Sequence, residues 1–188
     1  MARQIISVFF FTLFFPKALT LMCVSCDMPS LNCSKKTCSS GFQCISIIKN
    51  NVIDTMDCAK GTSGNWTVDF GWLRLKVCSS DLCNNATDSN NGKSCYTCSG
   101  TDCSQTISCK GDETQCITAT GANNATFKGC ASQNVCDNTA LAEYAIHQYG
   151  YANTSLSCCN GNLCNNGQIL RQGAVLLLLP VLSLLFSI

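Results

Sequence analysis

Cysteine, written twice in the same order, constrains this chain more than any other residue. "CVSC" at 23–26 returns as "CYTC" at 95–98, and "CSSDLCNN" at 78–85 returns as "CNGNLCNN" at 159–166. The first set holds 8 cysteines and the second 10, both even numbers, so each unit can close its own bridges. Each unit runs to about 60 to 70 residues, a size at which a hydrophobic core alone is marginal and disulfides are the usual supplement. Between them lies "NNATDSNNGKS", polar and turn-forming, which reads as a linker over residues 85–94.

Cysteine-dense chains are either stapled or metal-bound, and the N-terminus bears on the choice. Arg3 precedes "IISVFFFTLFF", an apolar run of 11 residues, and "PKALT" follows with short side chains. The run is too short to cross a bilayer and reads as a secretory signal peptide over residues 1–20, cut after Thr20. The mature chain then enters an oxidising lumen, where thiols pair. Five N-x-S/T triplets accompany this: Asn65, Asn85, Asn124 and Asn153 are expected to carry glycans, whereas Asn32 precedes Cys33, a cysteine placed to pair. Residues 21–165 hold 9 basic and 11 acidic side chains, with no basic stripe for nucleic acid.

Within each unit the pattern is β. "CISIIKNNVIDTMDC" (44–58) has two β-branched runs around Asn50-Asn51 and reads as a hairpin, and "CITATGANNATFKGC" (116–130) is its counterpart. Only "NTALAEYAIHQ" (138–148) is briefly helical, with Thr139 as a candidate cap. Spacing alone leaves connectivity open, since eight cysteines allow 105 pairings.

The second unit resembles a three-finger domain of the lymphocyte-antigen-6 and urokinase-receptor family. The residues that carry this are "CYTC", the six-residue step from Cys130 to Cys136, and the ending "CCNGNLCN". The resemblance implies a small disulfide-rich all-β fold of two tandem three-finger (snake-toxin-like) domains, at 21–84 and 95–165. It implies the pairs Cys95–Cys116, Cys98–Cys103, Cys109–Cys130, Cys136–Cys158 and Cys159–Cys164 in the second. In the first it implies Cys23–Cys44, Cys26–Cys33, Cys38–Cys58 and Cys78–Cys83, with no counterpart of the Cys136–Cys158 pair. Asn84 and Asn165 match the family's asparagine that ties the finger bases together by hydrogen bonds. Zinc or thioredoxin-like use of the C-x2-C pairs is disfavoured in a secreted chain without a βαβ context.

"AVLLLLPVLSLLFSI" ends the chain as 15 uncharged residues, short for a spanning helix. "NNG" and the spacer "QILRQG" precede it, the ingredients of a glycosylphosphatidylinositol (GPI) attachment signal over residues 166–188. Asn165 is the expected attachment residue, because Gly167 fills the second position after it, and Asn166 is the alternative. For catalysis the sequence offers one histidine, His147, and one adjacent carboxylate pair, Asp112-Glu113, in a turn-like stretch where both are expected to be solvated. With no nucleophile motif and no phosphate loop, no enzyme and no cofactor is expected.

The expectation is therefore a GPI-anchored glycoprotein on the outer face of the cell membrane. Its finger loops would bind an extracellular protein or glycoconjugate in adhesion or signalling. The alternative is a secreted two-domain modulator like the family's phospholipase inhibitors. Trp66, Phe70 and Trp72, in the segment of the first unit without a cross-link, are the candidate partner contacts. The competing reading packs them, since Trp66, Val68 and Phe70 alternate as one face of a strand.

Overall fold

The computed structural model describes residues 20–60, 64–85, 88–121, 125–147 and 155–166. The expected signal peptide up to residue 19, the apolar tail, Asn124 and Asn153 lie outside the described residues. The first unit contains β1 (Met22–Asp27), β2 (Asn32–Thr37), β3 (Phe42–Lys49), β4 (Val52–Lys60), β5 (Trp66–Asp69) and β6 (Leu73–Cys78). The second contains β7 (Asn90–Ser99), β8 (Asp102–Lys110), β9 (Gln115–Thr120), β10 (Thr126–Ala131), α1 (Gln133–Asp137), α2 (Thr139–His147) and β11 (Ser155–Cys159).

Antiparallel pairs make the fingers: β1–β2, β3–β4 and β5–β6 in the first unit, and β7–β8, β9–β10 and β11 against β9 in the second. The 44–58 hairpin turns on Asn50 and Asn51, at φ 51° and 63°. A tight hairpin turn of this hand needs two left-handed residues, and asparagine is the non-glycine residue that tolerates them. Thr139 opens α2 as its first helical residue rather than its cap. The short α1, which no sequence periodicity marks, starts after Ser132. Residues 90–94 belong to β7 rather than to a linker. Asn91 explains why: its side-chain amide donates to the carbonyls of Gly111 (3.1 Å) and Glu113 (3.1 Å), fastening the segment to the far end of β8.

The knots follow from register. Cys44 stands opposite Cys58 on β4 and Cys78 on β6, so three strands bring cysteines to one level, and each bonds outward: Cys23–Cys44, Cys38–Cys58, Cys78–Cys83. Cys116 likewise faces Cys130 and Cys159, giving Cys95–Cys116, Cys109–Cys130 and Cys159–Cys164. Cys26–Cys33 and Cys98–Cys103 close the first fingers, and Cys136–Cys158 ties α1 to β11. These are the nine pairs that the resemblance implies, and no described cysteine is free. Adjacent Cys158 and Cys159 serve different bridges, which pins two elements to one spot.

Below each knot an asparagine joins first finger to second. Asn84, fully buried, accepts from the Val24 amide (2.9 Å) and donates to the Val24 and Ile45 carbonyls (2.8 and 3.0 Å). Asn165 repeats the pattern on Tyr96 (2.9 and 3.0 Å) and Ile117 (3.1 Å).

The two units do not hang apart. Seven strands form one sheet in the order β11-β9-β10-β5-β6-β3-β4, and the β10–β5 pairing crosses from one unit to the other. Ala131 stands opposite Val68, Cys130 opposite Asp69, and Ser132 exchanges bonds with Thr67 (2.9 and 3.0 Å). Gly129 makes this approach possible, because a Cβ there would overlap the Asp69 carbonyl oxygen. One hydrophobic core is shared: Trp66, Val68, Phe70, Leu73, Leu75 and Val77 from the first unit pack with Ile117, Ala119, Ala131, Val135 and Leu141 from the second.

Candidate functional site

The fused sheet leaves a cleft of about 670 Å3 between the units. One wall is the tip of the β3–β4 hairpin, with Ile48, Asn51 and Ile53, and the opposite wall is the β7–β8 finger, with Gln105, Thr106, Ile107 and Lys110. Asp69, Gly71, Arg74 and Thr97 form the floor where β5 turns into β6. That turn is fixed. Gly71 sits at φ 84° with no room for a Cβ beside Thr97 Oγ1, and its amide donates to Asp69 Oδ1 (2.8 Å). Thr97 Oγ1 in turn donates across the junction to the Phe70 carbonyl (2.8 Å). The walls offer isoleucine side chains, amides, hydroxyls and the Lys110 ammonium, a mixed surface suited to a protein or glycan edge.

Behind the floor lies a buried charge cluster. Arg74 donates through Nε to Glu113 Oε1 (2.9 Å) and through a terminal nitrogen to Asp88 Oδ2 (2.7 Å), with Asp69 Oδ2 at 3.6 Å. Lys76 Nζ holds both oxygens of Asp88 (2.7 Å each), and the Lys110 amide donates to Glu113 Oε2 (2.7 Å). The cluster therefore stitches β5 and β6 to the chain between the units and to the β8–β9 turn. Burial dominates its titration. It pushes the Glu113 carboxyl up to about 7, against the pull of Arg74 and with help from the Asp69 charge. Asp69 is raised for the same reason, against the Gly71 amide and Arg74. Burial also opposes the Arg74 charge, but the Glu113 and Asp88 carboxylates outweigh it and raise its pKa. Asp88 is less enclosed, and hydrogen bonds from Lys76 and Arg74 overcome burial to hold it below the usual carboxylate range.

Two sequence expectations are corrected here. Glu113 is not solvated but fully buried, whereas Asp112 is exposed as expected and also accepts from Thr67 Oγ1 across the junction (3.0 Å). Their partners lie in the other unit, at Arg74 and Thr67, so nothing in "KGDETQ" reveals them. Trp66 and Phe70, each 1% exposed, lie in the shared core and have no surface for a partner. Trp72 is half-buried against the same core, its ring 6.2 Å from Phe127.

Asn65 and Asn85 are exposed, and Asn65 Oδ1 accepts from Ser79 Oγ (2.8 Å), which turns the Nδ2 that a glycan would use the other way. Asn165 is buried and Asn166 exposed in a short 3-10 turn, Cys164–Asn166. His147 is exposed in the last turn of α2. The sulfurs of Cys23, Cys38 and Cys58, and of Cys95, Cys109 and Cys130, crowd within 4.8 Å of one another. All six are in disulfides and offer no thiolate to a metal. Among the described residues no helix is long and apolar enough to cross a membrane.

Residues 91–167 match the u-PAR/Ly-6 domain family. The urokinase plasminogen activator surface receptor of Rattus norvegicus is 30% identical over 192 aligned positions, which cover 80% of this chain and 56% of the receptor. The chain thus spans about half the length of that relative. Family match, relative and twofold disulfide knot agree, and the chain belongs to the u-PAR/Ly-6 family.

Proposed function

We propose that this chain is a GPI-anchored cell-surface glycoprotein that binds an extracellular protein or glycoconjugate, in adhesion or signalling, in the cleft between its two units. The observation that carries the reading is the cleft itself, whose walls come from different units and whose floor is locked by a continuous sheet and a buried charge cluster. A preformed concave surface spares the ordering entropy that loose fingers would lose on binding. The rat relative is by name a surface receptor for urokinase plasminogen activator, which supports a protein as the partner here. Glycans at Asn65, Asn85, Asn124 and Asn153, a cleaved leader and an anchored C-terminus complete the reading; neither Asn65 nor Asn85 lines the cleft.

A single change tests the cleft. Ile53→Thr turns "NVI" at 51–53 into an N-x-T triplet and sets a glycan on Asn51 at the cleft mouth. Cells displaying the full chain are cross-linked in extracellular fluid, and captured proteins are identified. The variant should reach the surface at normal levels and lose the partner that the natural chain captures. Unchanged capture by a glycosylated variant would move the binding surface elsewhere. Recovery of the protein only in the medium would favour the secreted modulator.

A further inference from the structure

Strand β8 lines the cleft with three consecutive residues, Gln105, Thr106 and Ile107. Side chains of a strand alternate between its two faces, so a strand lines one cleft in this way only by presenting its edge. The opposite edge is taken by β7, where Thr97, Tyr96 and Cys95 stand opposite these three residues. Among the described residues no second strand pairs with β8, so every other residue along it turns its main-chain amide and carbonyl away from β7 without a strand to meet them. Across the cleft, Ile48 and Ile53 stand side by side in the β3–β4 register and share one apolar surface. The charged groups differ in their freedom. Asp69 accepts from the Gly71 amide and lies against Arg74, which is itself bound to Glu113 and Asp88. The Lys110 main-chain amide is bound to Glu113, but its half-buried side chain has no hydrogen bond or ion pair among the described residues.

We infer that the cleft takes an extended acidic segment of a protein partner, added as a strand to the free edge of β8, with one carboxylate on the Lys110 ammonium. The inference rests on the binding reading above and names the chemistry of its partner. Main-chain pairing supplies affinity whatever the sequence, and side chains at alternate positions supply specificity. Lys110 lies three residues beyond Ile107, a step of about 10 Å at the rise of a strand. The incoming segment therefore carries an apolar residue beside Ile107, for the surface of Ile48 and Ile53, and an aspartate or glutamate three positions away. A step of three also places two side chains on opposite faces of a strand, as it does for Ile107 and Lys110. A glycan can bring a carboxylate to Lys110, but it has no row of amides to pair with a strand edge. The free edge is what favours a polypeptide.

Cells displaying the full chain are panned with a random decapeptide library that has first been depleted on cells without it. The selected peptides should share an apolar and an acidic residue three positions apart. Replacing that acidic residue by its amide, or Lys110→Gln in the protein, should each weaken binding about tenfold, and the two together no further. Lys110→Gln should still be secreted, because its side chain holds no other described residue in place. N-methylation of alternate amides in the peptide should abolish binding in one alternation and spare it in the other, since a paired strand turns only every second amide toward β8. Peptides that are blocked by a glycan on Asn51, yet ignore Lys110→Gln or both N-methyl alternations, overturn the acidic strand and leave the cleft reading standing. Peptides that this glycan does not block count against both. Failure to select any peptide overturns the inference outright, and a cross-linked partner lost on sialidase treatment would then assign Lys110 to a glycan carboxylate.

Discussion

Asn84 and Asn165 show how much one side chain can decide. Each closes three hydrogen bonds between the first and second fingers of its unit, in a buried place where water cannot substitute. Asn84→Ala leaves an amide and two carbonyls unpaired and should cost about 3 kcal/mol, read as a lower denaturant midpoint. Asn84→Asp keeps the acceptor but turns a buried carboxylate oxygen toward the Val24 and Ile45 carbonyls, so it should cost at least as much as Asn84→Ala. Sequence revealed these residues because a motif fixes their place after the last cysteine. It did not reveal Glu113, whose partner Arg74 is 39 residues away and on another unit. Glu113 gives the protein a pH signature. In the unfolded chain it ionises near 4.5, whereas burial in the fold, helped by the Asp69 charge and opposed by Arg74 and the Lys110 amide, holds the proton up to about 7. Its contribution to stability therefore declines as pH rises from about 4.5 to about 7 and is flat above that window. Asp88, held low by Lys76 and Arg74, acts in the opposite sense at acid pH. Glu113→Gln should remove the decline from a plot of melting temperature against pH. A slope that survives in that variant would assign the titration to another group.

At the level of elements, β5 is where local reading stopped short. The alternation of Trp66, Val68 and Phe70 identifies one buried face, but all four strand residues are buried. Thr67 and Asp69 are covered because the second unit adds β10 alongside and the charge cluster lies beneath. Strand pairing between units leaves no periodic trace in either segment, and α1 is too short at five residues to show one. Two variants test the junction. Trp66→Ala should cost about 4 kcal/mol and abolish secretion, as for a large ring removed from a closed core. Trp72→Ala, half-exposed on the same core, should cost far less and leave secretion measurable. Gly129→Ala makes a separate point: the added methyl meets backbone rather than a movable side chain, so β10 must leave β5. Normal secretion and melting of that variant would contradict the shared sheet.

For the whole molecule, the twofold repeat and the closure of each unit were legible, because cysteine count, spacing and end motifs are local. Their fusion was not. All nine bridges stay within units, so among the described residues the join is made by strand pairing, apolar packing, side-chain hydrogen bonds and ion pairs rather than by disulfides. Calorimetry of the folded chain should give one transition whose van't Hoff and calorimetric enthalpies agree. Two resolved transitions would mean that the units melt separately. Non-reducing peptide mapping should find no bridge between residues 23–83 and residues 95–164.

The β5–β10 pairing also sets a delay during synthesis. Strand β5 is made about sixty residues before the strand that completes it. At about 5–20 residues per second, Trp66 and Phe70 wait about 3 to 12 s with an open strand edge beside them. The first unit's four bridges can close in that interval, but closing them does not cover this face. A nascent chain halted before β10 therefore presents chaperones with an oxidised yet sticky intermediate, and a quality-control system that checks only for free thiols would let it pass.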